Sequence, residues 1–263
     1  MLEMIINPKK AERRPWEMFF FGIVYATVSI LIVNLVFVRD AVLAERSGVL
    51  VVFFTVLFSL PFMFFTLRLE ESRISKNRTA LELVKDHRPA IYSFLWLFAG
   101  FTIAFAFWYT VLPTTQSFQE QILTYCVINR PSDVNGCVKQ YGIKDTTITS
   151  PFLTNKERLF LITTNNMYVL LFTLVFSLIF GAGVIFILAW NASVIGAAIG
   201  IFTDYKLASL PLGILRFLIH GIPEIASYFI VALAGGMVSV AVVNHEAGTE
   251  KFWDVLQDSL TLI

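Results

Sequence analysis

Charge is scarce in this chain. Lys, Arg, Asp and Glu make up 15% of its 263 residues, against roughly 25% in an ordinary soluble domain. That shortfall denies the chain the surface a water-soluble fold of this size needs. The charges it has nearly cancel, 20 basic against 19 acidic, so no global field points to nucleic acid or to an acidic substrate. Histidine occurs three times and cysteine twice. No HExxH is present and no histidine accompanies the cysteines, so neither a zinc site nor any other metal or cofactor is expected. Ser193, Ser209 and Ser227 sit in no Gly-x-Ser-x-Gly elbow, and phosphate-binding glycine loops are absent. The expectation is a protein that is not an enzyme.

Apolar sequence takes the place of charge. Hydrophobic residues are 57% of the chain, 26 of them Phe, and mean hydropathy is +0.73. They come in continuous blocks of about 20, the length that spans a bilayer as a helix, rather than in the period-two alternation of a membrane barrel. The fold class is therefore all-α, a polytopic helical transmembrane bundle.

Residues 1–16 form a basic N-terminus with Lys9, Lys10, Arg13 and Arg14. The apolar run at 17–38 is too long for a signal-peptide core. It opens three transmembrane helices within 17–112, the second at 48–67 and the third at 90–112. Between the last two, residues 68–89 hold Arg68, Arg73, Lys76, Arg78, Lys85 and Arg88, a strong cytoplasmic signal. A short helix is expected there, capped by Asn77 or Thr79 and ended before Pro89. Both basic segments put the N-terminus in the cytoplasm of a multi-pass protein of the plasma membrane. Residues 113–165 then lie outside, and both cysteines fall there. An oxidising compartment and a turn between them suit a Cys126–Cys137 disulfide.

The core, 166–244, opens after Asn165 and Asn166 with a helix running to Trp190 and Asn191. Two short helices, 192–202 and 207–220, are each too brief for a hydrocarbon layer of about 30 Å, and read as broken or re-entrant. A last span follows at 222–243. Gly196, Gly200, Gly235 and Gly236 are close-packing positions. Arg216, His220 and Glu224 are four apart. They share a face if the helix continues, but Gly221 and Pro223 favour a joint there, held by a His–Glu hydrogen bond. With Asn165, Asn166 and Asn191 they make up a polar core, costly in lipid unless partnered. Residues 245–263, rich in acid, suit the outer side. Phe252, Val255, Leu256 and Leu260 recur there at helical spacing, as an interfacial helix or the start of a truncated further span.

Asn165-Asn166, a glycine-bearing helix, Trp190-Asn191, Gly196 and then His220-Gly221-Ile222-Pro223-Glu224 before a small-residue helix resemble the stage II sporulation protein M family. That resemblance implies a membrane anchor for a complex containing cell-wall-degrading enzymes, not itself a hydrolase. It also implies a further hydrophobic helix after the last one seen here. The reading is a scaffold with the lipid bilayer and protein partners around it, able to form homo-oligomers and binding no nucleic acid. The alternative from the polar residues is a small channel or transporter with an ion or proton site near His220 and Glu224.

Overall fold

The computed structural model describes residues 8–37, 40, 42–72, 80–112, 116–141, 155–244 and 248–262. Within its helices the side chains of Asn165, His220 and Glu224 lie outside the described residues. Every regular element described is helical. In chain order they are α1 (Pro8–Arg13), α2 (Glu17–Ile32), α3 (Ser47–Glu71), α4 (Ala80–Val111), α5 (Gln119–Asn129), α6 (Val134–Gln140), α7 (Asn155–Phe180), α8 (Ile185–Phe202), α9 (Leu210–Val243) and α10 (Glu250–Leu262). A π-helical turn, Val33–Phe37, extends α2. Among the described residues, five spans are long and apolar enough to cross a membrane: Glu17–Phe37, Leu43–Glu71, Leu81–Val111, Ile185–Phe202 and Ile225–Val243.

Contacts fix how the helices run. Phe19 meets Trp96 and Thr27 accepts from the Trp108 indole, so α2 and α4 are parallel. Phe62 packs on Phe94 and Glu70 on His87, so α3 runs against them. The end where α2 begins is called proximal here, and the opposite end distal. Gly196 touches Phe105 and Gly200 touches Tyr109, so α8 rises toward the distal end beside α4. Gly213 meets Ile199 and Thr203, Phe229 stacks on Phe94, and Gly236 abuts Leu67. One helix, α9, therefore descends the whole bundle. Its 34 residues measure about 51 Å at 1.5 Å each. Ser177 against Gly235 and Gly181 against Ser239 carry α7 down to the proximal end beside it.

This corrects the expected break points. The helix expected to run to Trp190 ends at Phe180, and the chain turns at Gly181, whose φ of +52° is one that L side chains rarely adopt. Asn191 does not end a helix, because its Nδ2 donates to the Ile187 carbonyl at 2.8 Å and is satisfied within α8. Residues 192–202 are thus the second half of an 18-residue helix. Likewise 207–220 lies mostly in α9, which passes through Gly221 and Pro223 unbroken. Proline forfeits one backbone bond, and neighbouring helices tolerate that inside a membrane bundle. Pro61 and Pro89 are also internal to helices, and the short helix expected to stop before Pro89 is the start of α4. Its expected caps, Asn77 and Thr79, lie outside the described residues.

The corrected breaks add a crossing, so the tail changes sides. Instead of lying beyond the distal end, α10 packs at the proximal end beside the last turn of α3, where Lys251 pairs with Glu71. Of the tail's expected apolar stripe Val255 is buried and Phe252 and Leu256 half-buried, but Leu260 is exposed, and Ser259 and Leu262 complete the inner face.

Five buried hydroxyls within the spans share one pattern. Ser29, Thr55, Ser59, Thr66 and Thr102 each donate to the carbonyl one turn back. They need no water or partner helix, which suits a low-dielectric surround.

Candidate functional site

Four helices meet at the proximal end around ionisable side chains that are almost wholly enclosed. Leu83, His87, Ile91 and Phe94 are buried at helical spacing, so the inward face of α4 continues through Pro89 and carries His87 inside. Its Nδ1 lies 2.5 Å from Glu70 Oε2 of α3. One residue on, Glu71 is 2% exposed and its Oε1 lies 2.5 Å from Lys251 Nζ of α10. Two turns further along α10, the Ser259 hydroxyl donates to the Ala234 carbonyl of α9 at 3.0 Å. Such pairing is what buried charge requires. The arrangement fastens α3, α4, α9 and α10 to one another and leaves Lys251 half in solvent. Among the described residues no group of three His, Cys, Asp or Glu is placed to hold a metal ion.

The distal end is tied differently. Cys126 and Cys137 form a disulfide that joins α5 to α6. From α5, Gln121 is fully buried and its Nε2 donates to the Gly48 carbonyl at 3.0 Å and to Ser193 Oγ at 3.2 Å, linking α3 to α8. Glu120 lies over the first turn of α3, where a Cβ at Gly48 would overlap its carboxylate. Burial raises the Glu120 pKa; the Arg46 charge and backbone N–H bonds, including that of Gly48, work the other way. Above it, Asp204 and Tyr205 take φ of 50° and 58° to turn the chain from α8 into α9. The Tyr205 ring stacks on Tyr109, with centroids 5.7 Å apart.

Of the polar core expected from sequence, the side chains of Asn165, His220 and Glu224 lie outside the described residues, and Asn166, Asn191 and Arg216 are described. Arg216 is exposed, with its guanidinium over the Phe202 ring at 4.8 Å. Positions 216, 220 and 224 fall at successive turns of the continuous α9, so the joint expected between 220 and 224 does not exist. Asn166 is half-buried in α7. Asn191 borders an apolar groove of about 790 Å³ beside Tyr168, Phe172 and Trp190. A second apolar cleft, of about 410 Å³, opens between α4, α8 and α9. The four predicted packing glycines all sit at tight contacts, Gly196 and Gly200 on α4, Gly235 on Ser177 and Gly236 on Leu67.

A family model described as stage II sporulation protein M matches residues 92–262. The chain belongs to the stage II sporulation protein M family. Neither a curated protein nor a solved structure matches it. The family segment extends well beyond the motif between Asn165 and Val243 that suggested it, taking in most of α4 and all of α10. With five spans apolar and long enough to cross, this member of the stage II sporulation protein M family is a membrane protein.

Sequence reasoning missed the residues that fasten this family member at its ends. Only one histidine, His220, was expected in the core, yet His87 is 2% exposed. The available signal was the spacing of Leu83, His87, Ile91 and Phe94, which a boundary drawn at Pro89 cut in two. No local pattern marked Gln121, or the single glycines Gly22 and Gly100, which face each other with Cα 3.0 Å from where the other's Cβ would lie.

Proposed function

We propose that this chain is a non-enzymatic membrane scaffold that holds protein partners in place, with its N-terminus in the cytoplasm. One observation carries the reading. The bundle is closed on itself by side chain to backbone contacts at both ends, and its two described cavities are apolar clefts rather than polar chambers. A shape of that kind suits positioning better than chemistry or ion passage. Membership of the stage II sporulation protein M family supports it, because the family resemblance implies an anchoring role.

The orientation rests on two agreeing features. Basic residues crowd the proximal segments, as cytoplasmic loops do, and the disulfide is at the distal end, where an oxidising exterior would preserve it. Purification from native membranes in mild detergent tests the scaffold. Stoichiometric, reproducible co-purification of the same protein set is expected, and repeated recovery of a lone chain would contradict it.

A second reading draws on the continuity of α9, which brings positions 216, 220 and 224 into register on one helix. Ionisable residues so placed can serve a transport pathway. Flux into proteoliposomes that disappears with His220→Ala or Glu224→Ala would establish that reading in place of the scaffold.

A further inference from the structure

The cleft between α4, α8 and α9 opens on the bundle surface, where Tyr92 and Trp96 are exposed. Tyr92, Trp96, Ala99 and Ile103 of α4 form one wall, with Ile199 of α8 and Phe217 of α9 opposite. From Tyr92 to Ile103 is 11 residues, or about 16 Å of helix, close to half of a hydrocarbon core of about 30 Å. The cleft is thus as long as the acyl region of one leaflet, and its volume of about 410 Å³ falls within the usual range for a small-molecule pocket.

The same stripe of α4 continues toward the proximal end as Arg88 and Lys85, both exposed. Glu82 and Asp86 fall on the adjoining face of the helix, since each residue advances about 100°. Arg88 is already placed, its guanidinium 5.4 Å from the Tyr92 ring centroid at the mouth of the cleft. Stacked on a ring, a guanidinium keeps its in-plane N–H donors available, and their fork matches a phosphate. Two cations thus stand at headgroup level above an apolar slot one leaflet deep.

We propose that this cleft is a binding site for an anionic phospholipid of the proximal leaflet. One acyl chain lies along Tyr92, Trp96, Ala99 and Ile103, and the phosphate is held by Arg88 and Lys85. The occupant is fixed by charge complementarity and by depth: a zwitterionic lipid would satisfy the slot but not the two cations. The site does not depend on the chain holding protein partners.

Trp96 provides the readout. The full-length chain, with Trp16, Trp108, Trp190 and Trp253 replaced by Phe, is placed in phosphatidylcholine discs containing a minority of phosphatidylglycerol. Bromine is carried on the acyl chains of one lipid or the other. Brominated phosphatidylglycerol should quench Trp96 as though preferred over phosphatidylcholine about thirtyfold at the site, the effect expected of two basic side chains at a membrane surface. Lys85→Ala with Arg88→Ala should return quenching to the mole fraction, and Arg216→Ala should not. Quenching at the mole fraction in the parent chain would overturn the site, leaving ordinary surrounding lipid. No quenching by either lipid would overturn it in favour of a protein segment or a second copy in the cleft. Loss of the preference on Arg216→Ala alone would assign the lipid to the opposite leaflet and also overturn it. Should the Trp-depleted chain misfold, native mass spectrometry of the chain with all its tryptophans decides. From mixed micelles it should retain one phosphatidylglycerol, lost on Lys85→Ala with Arg88→Ala; retention of phosphatidylcholine equally well would refute the proposal.

Discussion

Replacing Gly100 by Ala tests whether the α2–α4 contact is as close as described. A Cβ at Gly100 would overlap the Phe19 carbonyl oxygen and stand 3.0 Å from both Gly22 Cα and Ile23 N. All three are backbone atoms, so no side chain can rotate away and the helices must move apart. Overpacking costs about 1–3 kcal/mol, and the rigid neighbours put this case near 3. Alanine recovers about 1 kcal/mol of helix propensity over glycine. The net loss is then about 2 kcal/mol, a fall in Tm on the order of 5 °C for a chain of this length. Gly213→Ala is the control, since its Cβ would meet methyl carbons of Ile199 and Thr203 at 3.1 Å, which can shift, and its effect should be close to zero. Both variants would be melted in mild detergent by far-UV circular dichroism. A Gly100→Ala chain that melts with or above the parent would refute the close-contact argument.

Three other outcomes follow from the two ends. His87→Ala removes the short contact to buried Glu70 in the proximal cluster and should cost about 3 kcal/mol, whereas Glu70→Met with His87→Leu should recover most of it; equal losses in both variants on chemical denaturation would contradict the pairing. Cys126→Ser with Cys137→Ser opens a loop of sequence separation 11 and should lower stability by about 3 kcal/mol, with hydrogen exchange rising in α5 and α6. Glu120→Gln should raise Tm at neutral pH. Because burial raises the Glu120 pKa in the folded state, the ionised carboxylate costs stability above that pKa. Below the unfolded value both states are protonated and the cost is gone. The gain should therefore shrink as pH falls, and a pH-independent gain would count against burial as its cause.

Much of the architecture was legible because the bilayer constrains it so strongly. Apolar runs near 20 residues read as spans wherever a polar segment bounded them, as at Glu17–Phe37. The errors share a cause. Pro89, Asn191, Gly221 and Pro223 were treated as helix boundaries by rules drawn from water, where an unpaired backbone group or polar side chain has solvent to turn to. In this bundle Asn191 bonds its own helix, and α4 and α9 pass straight through their prolines. The true break at Gly181 has no proline and no polar neighbour; it depends on a left-handed φ beside Ser239, a tertiary fact. The family motif between Asn165 and Val243 was recognisable, but the pairs Glu70–His87 and Glu71–Lys251 join residues far apart in the chain and needed coordinates.

The central claim is that α9 crosses the whole bundle, so that α10 returns to the end where the chain begins, opposite the disulfide. Single cysteines at Lys9, Asn129 and Glu250, each introduced into the Cys126→Ser, Cys137→Ser chain, test it with a membrane-impermeant maleimide on intact cells. Position 129 should label from outside, while positions 9 and 250 should label only after permeabilisation. Labelling of position 250 alongside 129 in intact cells, with position 9 protected, would contradict the account.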